Sequence, residues 1–261
     1  MLRDFFDGIM SYGKALKVIA LGRLWSYIMI PGIISLILGG SIAYAAYLLA
    51  EDLSLNLILA YPNNWWGFDL FQAISYGVSW ILLAVSGLFV YRVLLMGLVA
   101  PFMSPLAARV QEYVTGQPVY DPPFFSVTNF RLILRGIYLS LRNVSKELWF
   151  TFWLILLGFI PVFGFVAPIL LFLVQAFYAG FGNLDYSLEK YYNVKDSKTF
   201  SQRYRWLAIG NGATFLTLLT VPVLGLFFAP GLSTVAATLE TMKRVDVPLI
   251  DLKEAKQDDF I

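Results

Sequence analysis

Ile160-Pro161-Val162-Phe163-Gly164-Phe165-Val166-Ala167-Pro168 and Val221-Pro222-Val223-Leu224-Gly225-Leu226-Phe227-Phe228-Ala229-Pro230 are two versions of one phrase, set 61 residues apart. Each reads Pro-Val, an aromatic or leucine, Gly, another aromatic or leucine, and then Ala-Pro. Each also lies near the middle of a long interval without Asp, Glu, Lys or Arg, at 148–184 (37 residues) and 206–239 (34 residues). Proline removes a backbone donor and clashes with the preceding turn, while glycine tolerates a reversal. The breakers Pro161, Gly164 and Pro168, then Pro222, Gly225 and Pro230, therefore predict two helical hairpins. With about four residues spent on a turn, each leg has roughly 15–17 residues, or about 22–26 Å. That falls short of a hydrocarbon core about 30 Å thick. The hairpin tips are expected inside the membrane or near its far face, where irregular backbone survives only under protein or water. Two ordinary transmembrane hairpins with short loops are the other reading. Paired, broken apolar segments of this kind also point to a transport site.

The remaining charge-free intervals are 24–50, 70–91 and 93–108. The first two are each long enough for one span, and the second is expected to continue past Arg92 toward Pro101 and Pro105. The predicted fold is all-α and membrane-embedded: two long transmembrane helices (24–50 and 70–113), two broken hairpins and amphipathic interfacial helices. Residues 1–245 form a single membrane domain. It comprises an amphipathic helix over 1–22, a first hairpin with its lead-in over 128–190, and a second over 197–244. A polar tail occupies 246–261. Of the 261 residues, 59% are hydrophobic and 14% charged, against about 25% charged in a soluble domain. The chain has no histidine and no cysteine, which excludes His- and Cys-based triads, zinc sites, axial-His haem and disulfides. The net charge of +2 gives no reason to expect nucleic-acid binding. No cofactor, ATP site or pair of catalytic carboxylates is expected, so the chain reads as a non-enzyme.

Lysine and arginine are absent between Arg23 and Arg92, and the 51–69 loop carries only Glu51, Asp52 and Asp69. Basic residues mark the cytoplasmic side, so this loop is expected outside and both termini inside. Trp65 and Trp66 fall where an interfacial aromatic belt belongs. Phe5, Ile9, Leu16 and Ile19 make a helical stripe with Arg3, Asp7, Ser11, Lys14 and Lys17 largely opposite, which suits a helix lying on the membrane surface. Asp4 and Asp7 interrupt that stretch, so it does not read as a cleaved signal peptide. Arg131, Arg135, Arg142 and Lys146 share another helical face. Lys190, Lys195, Lys198, Arg203 and Arg205 make a basic stretch between the hairpins.

The chemistry on offer suits an anion. Backbone N–H groups at a helix start, with an arginine fork beside them, hold oxyanions. Gly22, Arg23 and Ser26 supply that combination, although an arginine snorkelling at a cytoplasmic helix end would look the same. Arg92, inside an apolar helix, is a pore or gating candidate. Gln175, Asn183 and Asn211 are further pore or gating candidates, or else interhelical packing amides. Asp185 and Glu189, one turn apart, are expected to pair with Arg203 or Arg205 as structural braces. Gly39-Gly40 is read as a helix-packing site, and Gly210-Asn211-Gly212 is not a phosphate loop because it has no Walker lysine or preceding strand.

Two further runs carry a family resemblance. Leu98-Val99-Ala100-Pro101-Phe102-Met103-Ser104-Pro105-Leu106-Ala107-Ala108-Arg109-Val110-Gln111-Glu112 resembles the segment following the second span in the CysZ and etoposide-induced-protein-like membrane family. Phe177-Tyr178-Ala179-Gly180-Phe181-Gly182-Asn183-Leu184-Asp185-Tyr186-Ser187-Leu188-Glu189-Lys190 resembles that family's Leu-Asp-Tyr segment. Arg203-Tyr204-Arg205 and the second hairpin follow in the family's order. The resemblance covers roughly residues 8–244. It implies two long spans, two partly penetrating hairpins and homo-oligomeric assembly in a bacterial cytoplasmic membrane. In the CysZ branch it further implies uptake of sulfate for cysteine biosynthesis. Where that branch carries a Gly-Leu-Arg-Arg-like element, this chain reads Gly22-Arg23-Leu24-Trp25-Ser26, with one arginine. An oligomeric permease or channel for sulfate or a related oxyanion is the resulting expectation. A non-transporting scaffold or assembly factor of the same fold is its alternative.

Overall fold

The computed structural model describes residues 1–61, 66–118, 127–158, 160–221 and 223–245. Pro222, Trp65 and the 246–261 tail lie outside the described residues, as do the side chains of Arg92 and Arg131. The described residues form α1 (Leu2–Leu21), α2 (Trp25–Ala60), α3 (Phe68–Thr115), α4 (Val127–Gly158), α5 (Pro161–Gly164), α6 (Ala167–Leu188), α7 (Val194–Arg203), α8 (Arg205–Leu219) and α9 (Leu224–Met242), with no strand among them.

Four stretches are long and apolar enough to cross a membrane: α2, the Phe68–Leu88 part of α3, α6 and α9. They are covered very differently. In the most apolar window of α9, 78% of residues are buried in the protein, against 11% for α2 and for Phe68–Leu88. The α2–α3 pair therefore turns its apolar surface outward, and α9 is the packed centre. The core joins α1, α2, α3, α6, α8 and α9 through side chains such as Ile19, Ile28, Leu106, Ala179, Phe215 and Val235.

α2 runs past the charge-free interval to Ala60, so Glu51 and Asp52 sit exposed on a helix and not in a loop. Carboxylates mark where a helix meets water; nothing about them ends it. α3 is unbroken through Pro101 and Pro105 and stops at Gly116, whose φ of 65° supplies the left-handed cap.

The breakers work differently in the two hairpins. Pro161 and Pro168 stand in the first turns of α5 and α6, where a missing donor costs nothing, and Gly164 closes α5 without a positive φ. In the second hairpin the left-handed residue is Val223 (φ 61°), not Gly225. Gly225 is already helical, and a Cβ there would collide with the Leu218 carbonyl oxygen of the facing leg. Pro230 lies inside α9, which continues through it.

α8 has 15 residues, about 22 Å of helix. The α9 start packs against α2: Ser35 Oγ donates to the Leu226 carbonyl and meets the Tyr91 hydroxyl at 2.5 Å. A Cβ on Gly39 would touch the Leu226 side chain, whereas Gly40 faces open space, so only the first of that pair packs closely. Ser35 and Gly39 lie about 15–21 Å along α2 from Trp25, and α2 continues roughly 30 Å beyond them.

α1 lies against α8 and α9. Its buried residues are Gly8, Ser11, Tyr12, Ala15, Val18 and Ile19, while Leu16 is half exposed and Phe6 and Met10 point outward. The apolar stripe read from the sequence is thus rotated from the buried one. Small residues at 8, 11 and 15 admit the partner helices closely, and hydropathy alone gives them no weight.

Candidate functional site

The α1–α2 turn gathers the predicted anion residues. The Gly22 N–H donates to the Val18 carbonyl at 2.8 Å, and the Leu24 N–H to that of Ile19 at 3.0 Å. Gly22 itself is unstrained (φ −78°), and it is Arg23 that takes the left-handed φ of 51°. A non-glycine residue held this way stores about 1–3 kcal/mol, and such residues cluster at ligand sites. Trp25 and Ser26 open α2, so their N–H groups have no intrahelical acceptor. Arg23 and Ser26 are exposed at the same turn. A second cation, which the sequence reading did not select, stands nearby: Arg109 donates from Nε to the Tyr27 hydroxyl (3.2 Å) and pairs with Glu112 (2.8 Å).

The amides Asn183 and Asn211 meet where the two hairpins cross. Asn183 Nδ2 donates to Asn211 Oδ1 (2.9 Å), and Asn211 Nδ2 donates to the Ser233 carbonyl (3.2 Å). The Tyr12 hydroxyl donates to the Asn211 carbonyl (2.8 Å), so one residue ties α8 to α1, α6 and α9. The approach is possible because Gly180 and Gly212 face carbonyls: a Cβ on either would strike the oxygen of Ala208 or of Ala176. Beside Asn183, a void of about 10 Å³ is lined by Leu95, Met103, Tyr186, Phe215 and Thr234, room for about one water. Gln175 is half-buried on α6, with no hydrogen-bond partner among the described residues, and does not join Asn183 and Asn211. Arg92 belongs to α3, but its side chain lies outside the described residues.

Asp185 is braced from a different helix than the sequence suggests. Its Oδ1 accepts from Arg135 Nη2 of α4 (3.3 Å). The same guanidinium donates to the Tyr192 carbonyl (2.8 Å), the Glu189 carbonyl (3.3 Å) and the Ser197 hydroxyl (3.1 Å). Arg203 and Arg205 are exposed, and the Arg203 guanidinium lies over the Tyr204 ring. The α7 helix that brings Ser197 begins at Asn193, whose side chain accepts the Lys195 and Asp196 N–H groups.

Glu189 follows α6, with its Oε1 out of reach of solvent and without a hydrogen-bond partner among the described residues. Burial pushes its carboxyl up to about 7, with the Asp185 charge adding to the rise and Ser104, Arg135 and Lys190 opposing it. A carboxyl whose folded pKa is raised binds its proton more tightly in the folded state. Its contribution therefore favours folding at low pH and is lost as pH rises from about 4.5 through about 7. The thermal midpoint in detergent is expected to fall between pH 5 and 8, and Glu189→Gln is expected to flatten that slope. An unchanged slope in the variant would contradict this.

A second charge cluster closes the bundle. Arg244, just past α9, donates to Glu240 Oε2 (2.7 Å), Asp7 Oδ2 (2.9 Å) and Asp4 Oδ1 (3.1 Å). Glu240, 1% exposed, also accepts from Lys243. The available signal was Glu240 and Arg244, one turn apart at the end of an apolar interval; the partners on α1 left none.

Broken hairpins around a packed central helix, with outward-facing apolar α2 and α3, define a multi-pass helical membrane protein. The chain belongs to the family described as Sulfate transporter CysZ/Etoposide-induced protein 2.4, whose family model matches residues 11–230. Compared with individual curated proteins, it matches none.

Proposed function

We propose that this protein is a permease or channel for a small oxyanion, most favourably sulfate, in a bacterial cytoplasmic membrane. Membership of a family whose description names a sulfate transporter beside etoposide-induced protein 2.4 carries the reading. Two structural observations support it. The second hairpin ends level with Ser35–Gly39, well short of the far end of α2, as a re-entrant element would. Arg23, in a strained backbone conformation, stands beside the open N–H groups of α2. The anion is held there by the guanidinium, the Ser26 hydroxyl and the helix dipole, weakly enough to leave again. Passage involves no covalent chemistry, and the outward apolar faces of α2 and α3 are covered by lipid or by further copies of the chain. The 51–69 segment lies outside and both termini inside. The packed centre around Asn183 and Asn211 is what a scaffold of the same fold would also show, and the family's description is what favours transport over it.

Radiolabelled sulfate flux into liposomes tests the reading. Arg23→Gly relieves the left-handed strain while removing the charge, so the thermal midpoint is expected to hold or rise while flux falls at least tenfold. Unchanged flux would remove Arg23 from the path. Absence of sulfate flux in the wild-type protein would overturn the transport reading.

A further inference from the structure

Arg142 and Lys146 are one turn apart on α4, and Lys198 on α7 is near enough for its charge to act on Lys146. The Arg135–Ser197 bond, one residue from Lys198, fixes α7 against α4. None of the three has a carboxylate partner among the described residues. A neighbouring carboxylate, Asp185, is bonded by Arg135 and also feels the Arg142 charge. Arg142 makes one polar contact, from Nη2 to Asn143 Oδ1 at 3.3 Å, and its guanidinium lies 5.6 Å over the Phe181 ring. Its Nε is out of reach of solvent and has no hydrogen-bond partner, although a guanidinium nitrogen in that position normally has one. The charges also feel one another: burial lowers the Lys146 pKa, and repulsion from Lys198 and Arg142 lowers it further. Three cations held together by the fold, none with a carboxylate bond among the described residues, call for an anion.

What lies next to them narrows its source. Directly after Lys146, α4 exposes Leu148, Trp149, Phe152, Trp153 and Ile155, with Trp149 and Trp153 in edge-on contact. This face starts the charge-free interval 148–184, so the cations sit at the level where α4 passes from interface to apolar surroundings. A free oxyanion has no use for that flank, whereas a phospholipid would lay its acyl chains along it.

We propose that Arg142, Lys146 and Lys198 form a binding site for the phosphate headgroup of an anionic phospholipid, with the acyl chains seated on the 148–155 face of α4. The proposal does not depend on what the protein transports. Juxtamembrane basic residues each add about 1 kcal/mol of attraction to anionic lipid, about fivefold apiece before salt screens it.

The test uses the full chain in nanodiscs or mixed micelles, with lipid retention read by native mass spectrometry. Phosphatidylglycerol is expected to be retained at least tenfold over phosphatidylcholine, with the preference weakening as salt rises. The triple variant Arg142→Gln/Lys146→Gln/Lys198→Gln is expected to lose the preference. Because it removes mutually repelling charges, its thermal midpoint in phosphatidylcholine should not fall. Should it fail to fold, Lys198→Gln alone is expected to reduce the preference about threefold. Equal retention of both lipids by the wild type would overturn the proposal, as would an unchanged preference in the variants. Stabilisation by inorganic sulfate or phosphate, removed by the same variants and without any lipid preference, would assign the site to a free oxyanion and overturn the lipid assignment.

Discussion

Gly212→Leu is expected to abolish the folded protein in detergent extracts, leaving aggregate where the wild type elutes as a single species. The glycine faces the Ala176 carbonyl oxygen and the Gly180 backbone N–H, so a side chain there meets backbone on the opposite helix. Backbone cannot rotate aside as a leucine tip can. The cost should reach or exceed the upper end of the roughly 1–3 kcal/mol usual for overpacking, which is a large part of a marginal stability. Separating the helices would also stretch the Asn183–Asn211 bond and expose both amides to an apolar surround. Gly40→Ala, with nothing within 4 Å of the new atom, is the matched control and should leave the thermal midpoint unchanged or slightly higher. A Gly212→Leu protein with wild-type elution and melting would mean that α6 and α8 do not cross in this way.

Arg135→Met is the second large effect. It keeps much of the side chain's volume but strips Asp185 of its counter-charge, along with the donor to two carbonyls and the Ser197 hydroxyl. Leaving one member of a buried pair behind costs roughly 3–5 kcal/mol. The loss should be partial on Arg135→Lys, whose single ammonium cannot reach all four acceptors. Asp185→Asn in the Met background should recover part of the midpoint, because the orphaned charge is then gone. If the double variant melts no higher than Arg135→Met, the charge is not the source of the loss. Amide exchange should meanwhile localise the damage to α7, which loses its Ser197 anchor.

Much of the architecture is legible in the sequence because membranes impose a simple rule. Charge-free runs give depth, and the Pro-Gly phrases give the two reversals. The ends of elements are less so: α2 overshoots Ala50 because Glu51 and Asp52 are comfortable on a helix in water. Gly210-Asn211-Gly212, set aside as a failed phosphate loop, turns out to be the contact surface of α8, a role that depends on Gly180 and Ala176 some thirty residues earlier. The Asp185 brace could not be read for the same reason. Arg203 and Arg205 are nearer in sequence, but Arg135, fifty residues away, lies on the helix that packs against α6. The α1–α2 turn is the reverse case. Its residues are adjacent in sequence, and only the left-handed conformation of Arg23 escaped a reading that gave flexibility to the glycine.

The clasp between Arg244 and the Asp4 and Asp7 carboxylates spans about 240 residues of chain. At roughly 5–20 residues per second, a ribosome takes about 10–50 s to make the second half of that contact after the first. During that wait α1 has no α8 or α9 to pack against, and its buried face is left partly uncovered. α1 is therefore locked in place only after α9 has been made, so a chain truncated before Glu240 would leave α1 without this clasp.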